Sequence, residues 1–142
     1  MTETAVTLSN KEIFYITLML GGERLVGVEY DFPIDEALLM QELGEVKRGL
    51  NKRKLLRENS KGEVSMEYTL TAVAGFCSQP DVCLIVDEEG LKGTVYKVGE
   101  SSLLLEPAEN DEFNASVFTS EKALGEYIGS RIWQGMEDST DG

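Results

Sequence analysis

The spacing of apolar residues predicts that the first half of the chain is helical. Ser9 and Glu12 have the spacing of a capping box, and the apolar positions that follow them repeat with the period of a helix. A second helical stripe covers Leu39–Leu50, and we expect Asp31–Pro33 to open that stretch. Gly49 indicates a break, because glycine in a helix interior costs about 1 kcal/mol relative to alanine.

A third helix and then a change of period are predicted further along. Ser60 and Glu63 form a second candidate capping box, which would begin a helix that Pro80 ends. Four segments then have the composition of strands, namely Val82–Asp87, Thr94–Val98, Leu103–Leu105 and Phe113–Thr119. Their connections are too short for crossover helices, so we expect an antiparallel sheet. A last helix begins at about Ser120.

These elements predict an α+β fold: a helical N-terminal half, followed by a four-stranded antiparallel β-meander and a C-terminal helix. A chain of 142 residues is ordinarily one domain. We expect residues 1–133 to form that domain and residues 134–142 to form an acidic, flexible tail. No apolar run is long enough to span a membrane and no signal peptide is visible, so we expect a cytoplasmic protein without a membrane partner.

The charge of the chain is distributed unevenly. The net charge is −13, yet the window 47–61 carries about +6 and the rest of the chain about −19. Surfaces of opposite potential select partners, so the basic window is a candidate binding surface. Trp133 is a second candidate, because tryptophan is frequent in interface hot spots, although it could instead cover the core. The candidate partner-binding residues are Lys47, Arg48, Lys52, Arg53, Lys54, Arg57 and Trp133. Further apolar contacts are expected on an exposed side of the strand Phe113–Thr119.

The residue types required by common catalytic sites are scarce. The absence of histidine excludes Ser–His and Cys–His nucleophile pairs and removes the usual general base. The acidic residues fall at helix starts and turns, and neither phosphate-loop motif occurs. Cys77 and Cys83 cannot complete a zinc site, and we expect buried free thiols unless the intervening turn brings them within reach of a disulfide. We predict a protein that is not an enzyme and uses no metal or cofactor.

Nucleic-acid binding is an alternative that the element order raises. Three helices followed by a β-hairpin outline a winged helix, with the basic window near its recognition element. Against this alternative, the remaining charge of about −19 repels phosphate, and aromatic residues are not interleaved with the basic ones. The basic window can also be a protein-docking patch or simply a solvated loop.

The chain also resembles a known family over about Leu8 to Phe118. The segments TLSNKEIFYITLMLGG, ELGEVKRGLNKR, GEVSMEYTLTAVAGFCSQPD and VCLIVDEEGLKGTVYKVGESSLLLEP resemble, in pattern, one half of the EspG-type proteins of ESX (type VII) secretion loci. The resemblance implies a cytosolic adaptor or chaperone that holds secreted substrates. Because the family proteins have two similar halves, it also implies that a homodimer could rebuild the whole. A type III-like secretion chaperone has the same size and acidity and is a further alternative.

Overall fold

The computed structural model describes residues 4–22, 25–28 and 35–140, without the side chains of residues 4–5 and 137–140. Four helices and seven strands occur in these ranges. In chain order they are β1 (Thr4–Ser9), α1 (Asn10–Met19), α2 (Glu36–Lys52), β2 (Leu56–Glu58), β3 (Val64–Met66), α3 (Tyr68–Ser78), β4 (Val82–Glu88), β5 (Leu91–Val98), β6 (Ser101–Pro107), β7 (Glu112–Phe118) and α4 (Glu121–Thr140). The expected helix start at Asp31–Pro33 lies outside the described residues.

A five-stranded antiparallel sheet is the centre of the fold. Its strand order is β1-β7-β6-β5-β4, so the predicted meander of β4 to β7 is confirmed. The prediction of four strands is wrong by one for this sheet, because Thr4–Ser9 form β1 and pair with β7. The sheet edges are therefore β1 and β4. β7 lies inside the sheet, and its residues Ala115–Phe118 are buried, which corrects the expectation of an exposed apolar side on that strand.

Helices cover both faces of this sheet. Tyr96 on β5 packs in a core cluster with residues of α1, α2 and α3. Its neighbour Val95 packs in a second cluster with α4. Because successive strand residues point to opposite faces, α1 to α3 lie on one side of the sheet and α4 on the other. The α+β fold class is confirmed, but the prediction of a helical N-terminal half is corrected, because that half also contains β1 and the β2–β3 hairpin.

The capping box of the first helix is formed as the sequence predicts. The Glu12 amide donates to Ser9 Oγ at 3.1 Å, and the Ser9 amide donates to Glu12 Oε1 at 2.9 Å. Leu8 before the cap and Ile13 after it are fully buried, which is the arrangement of a hydrophobic staple. This cap directs the chain from β1 straight into α1.

The second predicted capping box is wrong, because Ser60–Glu63 forms the turn of the β2–β3 hairpin. Asn59 Oδ1 accepts from the amides of Lys61 and Glu63, both at 2.9 Å. Gly62 has φ +80, a conformation that no residue of a first helical turn adopts. Helix α3 begins later, where the Glu67 carboxylate accepts from the Thr69 amide at 2.7 Å.

Two helices extend further than the sequence indicates. Helix α2 continues through Gly49 to Lys52, because Leu50 is fully buried and its packing offsets the cost of the glycine. Helix α4 continues to Thr140, so most of the segment expected to be a tail has helical backbone. Among the described residues, no helix combines the length and the apolar character needed to cross a membrane.

Candidate functional site

The basic window lies at the end of α2 and in the β2–β3 hairpin, where acidic residues of the same chain hold part of it. Lys47 Nζ is 3.0 Å from Glu58, and this hydrogen bond and charge raise the pKa of Lys47. Arg48 on α2 and Lys52 at the end of that helix are both exposed. The ion pair of Lys47 therefore reduces the charge that the window offers to phosphate, while Arg48 and Lys52 remain accessible.

Arg53 has a structural role that the sequence did not indicate. Its Nη1 lies 3.3 Å from Glu12 Oε2, and its Nη2 donates to the backbone oxygen of Thr7 at 2.6 Å. Thr7 belongs to the edge strand β1, so the guanidinium occupies a backbone acceptor at that edge. Arg53 thus joins the end of α2 to the sheet.

Lys54 and Arg57 are the two candidate cations that the structure brings to one cleft. Together with Met66 and Glu67, they line a depression of about 210 Å³ at the β2–β3 hairpin. Lys54 has φ 63, which turns the chain sharply after α2. The small cleft contains both charge signs, so it offers no preorganised anion site.

Trp133 is separated from these cations by the sheet. It lies on α4, and 63% of its surface is exposed, so it does not cover the core. The basic window lies on the side of α1 to α3. The structure therefore does not combine the seven candidate residues into one site.

One cluster of titratable residues lies between the sheet and α4. Glu106, which is buried on β6, accepts from the Tyr127 hydroxyl at 2.8 Å and pairs with Arg131 Nη2 at 2.8 Å. Burial raises the pKa of Tyr127, and its hydrogen bond to Glu106 acts in the same direction. Arg131 also donates to the backbone oxygen of Gly90 at 3.2 Å. Each group is paired with another, which indicates that the cluster fixes α4 on the sheet.

Cys77 and Cys83 are free thiols, as expected, but only Cys77 is buried. Burial raises the pKa of Cys77 to about 12, although a hydrogen bond with Tyr96 opposes that effect. The Tyr96 hydroxyl donates to the backbone oxygen of Val26 at 2.6 Å, and the Val26 amide donates to that of Cys77 at 2.7 Å. Cys77 is thus part of the packing that holds residues 25–28 and is unsuited to nucleophilic chemistry.

Two neighbouring clefts flank α3. The first, of about 380 Å³, lies between α3 and the ends of β5 and β7, and includes Tyr68, Phe76 and Val98. The second, of about 360 Å³, lies between α3 and the end of α1, and includes Leu20. Gly75 and Gln79 line both clefts. We call the residues that line these two clefts the α3 face.

The α3 face has the composition of a protein interface. None of the described residues that line it carries a charge, although 27% of the chain is charged. Depletion of charge is characteristic of the centre of protein interfaces. Tyr68 is 76% exposed at the border of this surface, and Val98 and Leu20 are also exposed.

The sequence analysis did not identify the α3 face. Tyr68 and Gln79 belong to one helix and its cap, but Val98 and Leu20 come from distant parts of the chain, and only the packing of α3 brings them together. Gly75 was a local signal of this surface, because glycine places no side chain on the outer side of α3. Among the described residues, no group of three or more acidic or cysteine side chains is arranged to hold a metal ion.

Comparison with known proteins gives no independent identification, since neither a family model nor a curated protein matches this chain.

Proposed function

We propose that this protein is a non-catalytic adaptor or chaperone whose client packs against the α3 face. The observation that carries the proposal is the uncharged lining of two adjacent clefts on an otherwise highly charged protein. An aromatic side chain at their border, Tyr68, is of the type that dominates binding energy at interfaces. The occupant that fits this chemistry is an apolar segment of another protein.

The resemblance to one half of the EspG-type proteins supports a secreted substrate as the client. The net charge of −13 would keep such a carrier dispersed while the uncharged α3 face is free. The same resemblance implies a homodimer, and light scattering of the pure protein would test that prediction. We place the client on the α3 face rather than on the basic window, because Lys47 and Arg53 already have partners in their own chain.

Gly75 provides a sharp test of this proposal. A Cβ atom at Gly75 would have no heavy atom within 4 Å, and the same is true of Gly125 on α4. Gly75→Glu places a charge between the two clefts, whereas Gly125→Glu makes the identical change on the other side of the sheet. Both substitutions replace a helical glycine in open space and gain helix propensity, although the charge of Gly75→Glu lies near the C-terminus of α3 and opposes part of that gain.

The measurement is photo-crosslinking in the source cells, with a photoreactive phenylalanine analogue replacing Tyr68. We expect a defined protein adduct that persists in the Gly125→Glu background and disappears in the Gly75→Glu background. Apolar contacts are also expected to survive high salt, unlike contacts of the exposed basic window. Equal adduct yields in both backgrounds, or no adduct at all, would refute the assignment of the client to the α3 face.

A further inference from the structure

The edge strand β4 is a second surface that the described residues leave without a pairing strand on one side. It has seven residues, and its one neighbour among the described strands is β5. Ile85 is 84% exposed and Leu84 is 52% exposed, and Val82 is also exposed. Since neighbouring residues point to opposite faces, apolar side chains are accessible on both sides of this edge.

The register of the β4–β5 hairpin identifies the free backbone groups. Glu88 pairs with Leu91 across a two-residue turn, and Leu84 pairs with Val95 further along. In such a hairpin, the residue pair next to the turn exchanges hydrogen bonds and the pairs then alternate. Even-numbered residues of β4 therefore bond to β5, and the amides of Cys83, Ile85 and Asp87 point away from the sheet.

The opposite edge differs from β4 in one specific contact. On β1, Arg53 Nη2 occupies the backbone oxygen of Thr7 at 2.6 Å. A charged side chain at an edge is one of the devices by which proteins prevent further strand pairing. No ion pair or hydrogen bond identified among the described residues places a comparable side chain across the free edge of β4. We therefore expect an added strand to pair with β4 rather than with β1.

The charges at the ends of β4 indicate what kind of strand it accepts. Asp81 precedes the strand, Asp87 and Glu88 end it, and Glu89 follows, all of them exposed. Antiparallel pairing of two copies about Leu84 would place Asp81 opposite Asp87 of the second copy, and like charges directly opposite each other are unfavourable. A partner strand with cations at its ends would instead meet acidic groups at both ends.

We propose that β4 binds an extended segment of a partner protein, apolar at its centre and flanked by lysine or arginine, which extends the sheet by one strand. This inference concerns a surface other than the α3 face, and it rests on the proposed function only in assuming a protein partner. Backbone hydrogen bonds to Cys83, Ile85 and Asp87 would supply affinity, and the acidic ends would select the flanking charges.

The test uses the full-length protein and two synthetic peptides of alternating valine and threonine, one with lysines at both ends and one with glutamates. We expect the lysine peptide to slow amide hydrogen exchange at Cys83, Ile85 and Asp87 by about ten-fold or more, because a bonded amide must open before it exchanges. The glutamate peptide should leave those amides unchanged. Protection confined to α3 or β1, or no protection with either peptide, would overturn the proposal.

Two substitutions at Ile85 separate the backbone contribution from the side chain. Ile85→Pro removes an outward amide, which an edge strand tolerates, and should weaken lysine-peptide binding by about ten-fold or more. Ile85→Thr keeps the amide and a β-branched side chain, so binding should fall by less than about three-fold. Equal loss in both variants would contradict strand addition. Neither change touches the α3 face, so Tyr68 crosslinking should persist in both.

A charge reversal keeps the test decisive if the proline variant does not fold. Asp87→Lys combined with Glu88→Lys reverses the charge at one end of β4 and should therefore reduce the preference for the lysine peptide, and an unchanged preference would refute the charge argument. If the β4 amides of the free protein become protected as protein concentration rises, the edge pairs with a second copy and the proposed partner strand is wrong.

Discussion

The position of α4 on the sheet depends on a close backbone contact that can be tested with three glycines of one helix. A Cβ atom at Gly135 would lie within 2.5 Å of backbone atoms of Glu89 and Gly90, in the β4–β5 turn. A Cβ atom at Gly125 or Gly129 would have no heavy atom within 4 Å. Alanine at these three positions is therefore the same chemical change in two different environments.

The substitutions are expected to change the free energy of unfolding in opposite directions. Gly125→Ala and Gly129→Ala should each raise stability by up to about 1 kcal/mol, because alanine is the better helix former. Gly135→Ala gains the same propensity, but relief of the clash must move the turn away from α4. Overpacking of this kind typically costs about 1–3 kcal/mol. The net expectation for Gly135→Ala is a loss of up to about 2 kcal/mol.

Thermal unfolding followed by circular dichroism measures the difference. For a domain of this size, 1 kcal/mol corresponds to roughly 3 °C in Tm, so Gly135→Ala should melt about 3–9 °C below Gly125→Ala. Urea unfolding should give the same order. If the Gly135→Ala variant is as stable as Gly125→Ala, then α4 and the β4–β5 turn are not in contact, and the placement of α4 against that turn is wrong.

Three further predictions concern single side chains. Ser102 Oγ is buried and has no hydrogen-bond partner among the described residues. Ser102→Ala should therefore raise the free energy of unfolding by about 1 kcal/mol in urea titrations. A decrease of that size would indicate that the hydroxyl is hydrogen-bonded. Burial raises the pKa of Cys77 from 9.0 to about 12, so its contribution to stability is complete below pH 9 and is lost as the pH rises towards 12, by an amount on the order of 4 kcal/mol. Burial also raises the pKa of Tyr96, so Cys77→Ala should reduce the slope of stability against pH in that window without abolishing it, and an unchanged slope would contradict the assignment. Arg53→Met should lower the free energy of unfolding by less than about 1 kcal/mol, because the ion pair with Glu12 is partly exposed. It should nevertheless accelerate amide hydrogen exchange in β1, since the contact with Thr7 is lost. Unaltered exchange would show that this contact does not stabilise the strand.

Local patterns were sufficient where one signal decided the structure. The capping box of Ser9 and Glu12, the four strands of the meander and the start of α4 were all predicted, because each depends on residues adjacent in sequence or on a single period. The pattern was misleading at Ser60–Glu63. The spacing matches a capping box, but the Asn59 side chain and the left-handed Gly62 make a turn instead.

Long-range contacts decided the rest of the fold. β1 is a strand because it pairs with β7, more than a hundred residues away, and few local features mark such a short segment. Helix α2 passes through Gly49 because Leu50 enters the core, an effect that propensity alone does not contain. In both cases the free energy gained from tertiary contacts exceeded the cost set by the local conformational preference.

The sequence by itself determined the fold class, the scarcity of catalytic residue types and the uneven charge. The tertiary structure decided which of these features could act together. Ion pairs with Glu58 and Glu12 hold two of the candidate cations, and the sheet separates the basic window from Trp133. The extent of the α3 face and the free edge of β4 cannot be read from a linear pattern, because a surface is defined by the elements that cover its neighbours, and that coverage exists only after the chain has folded.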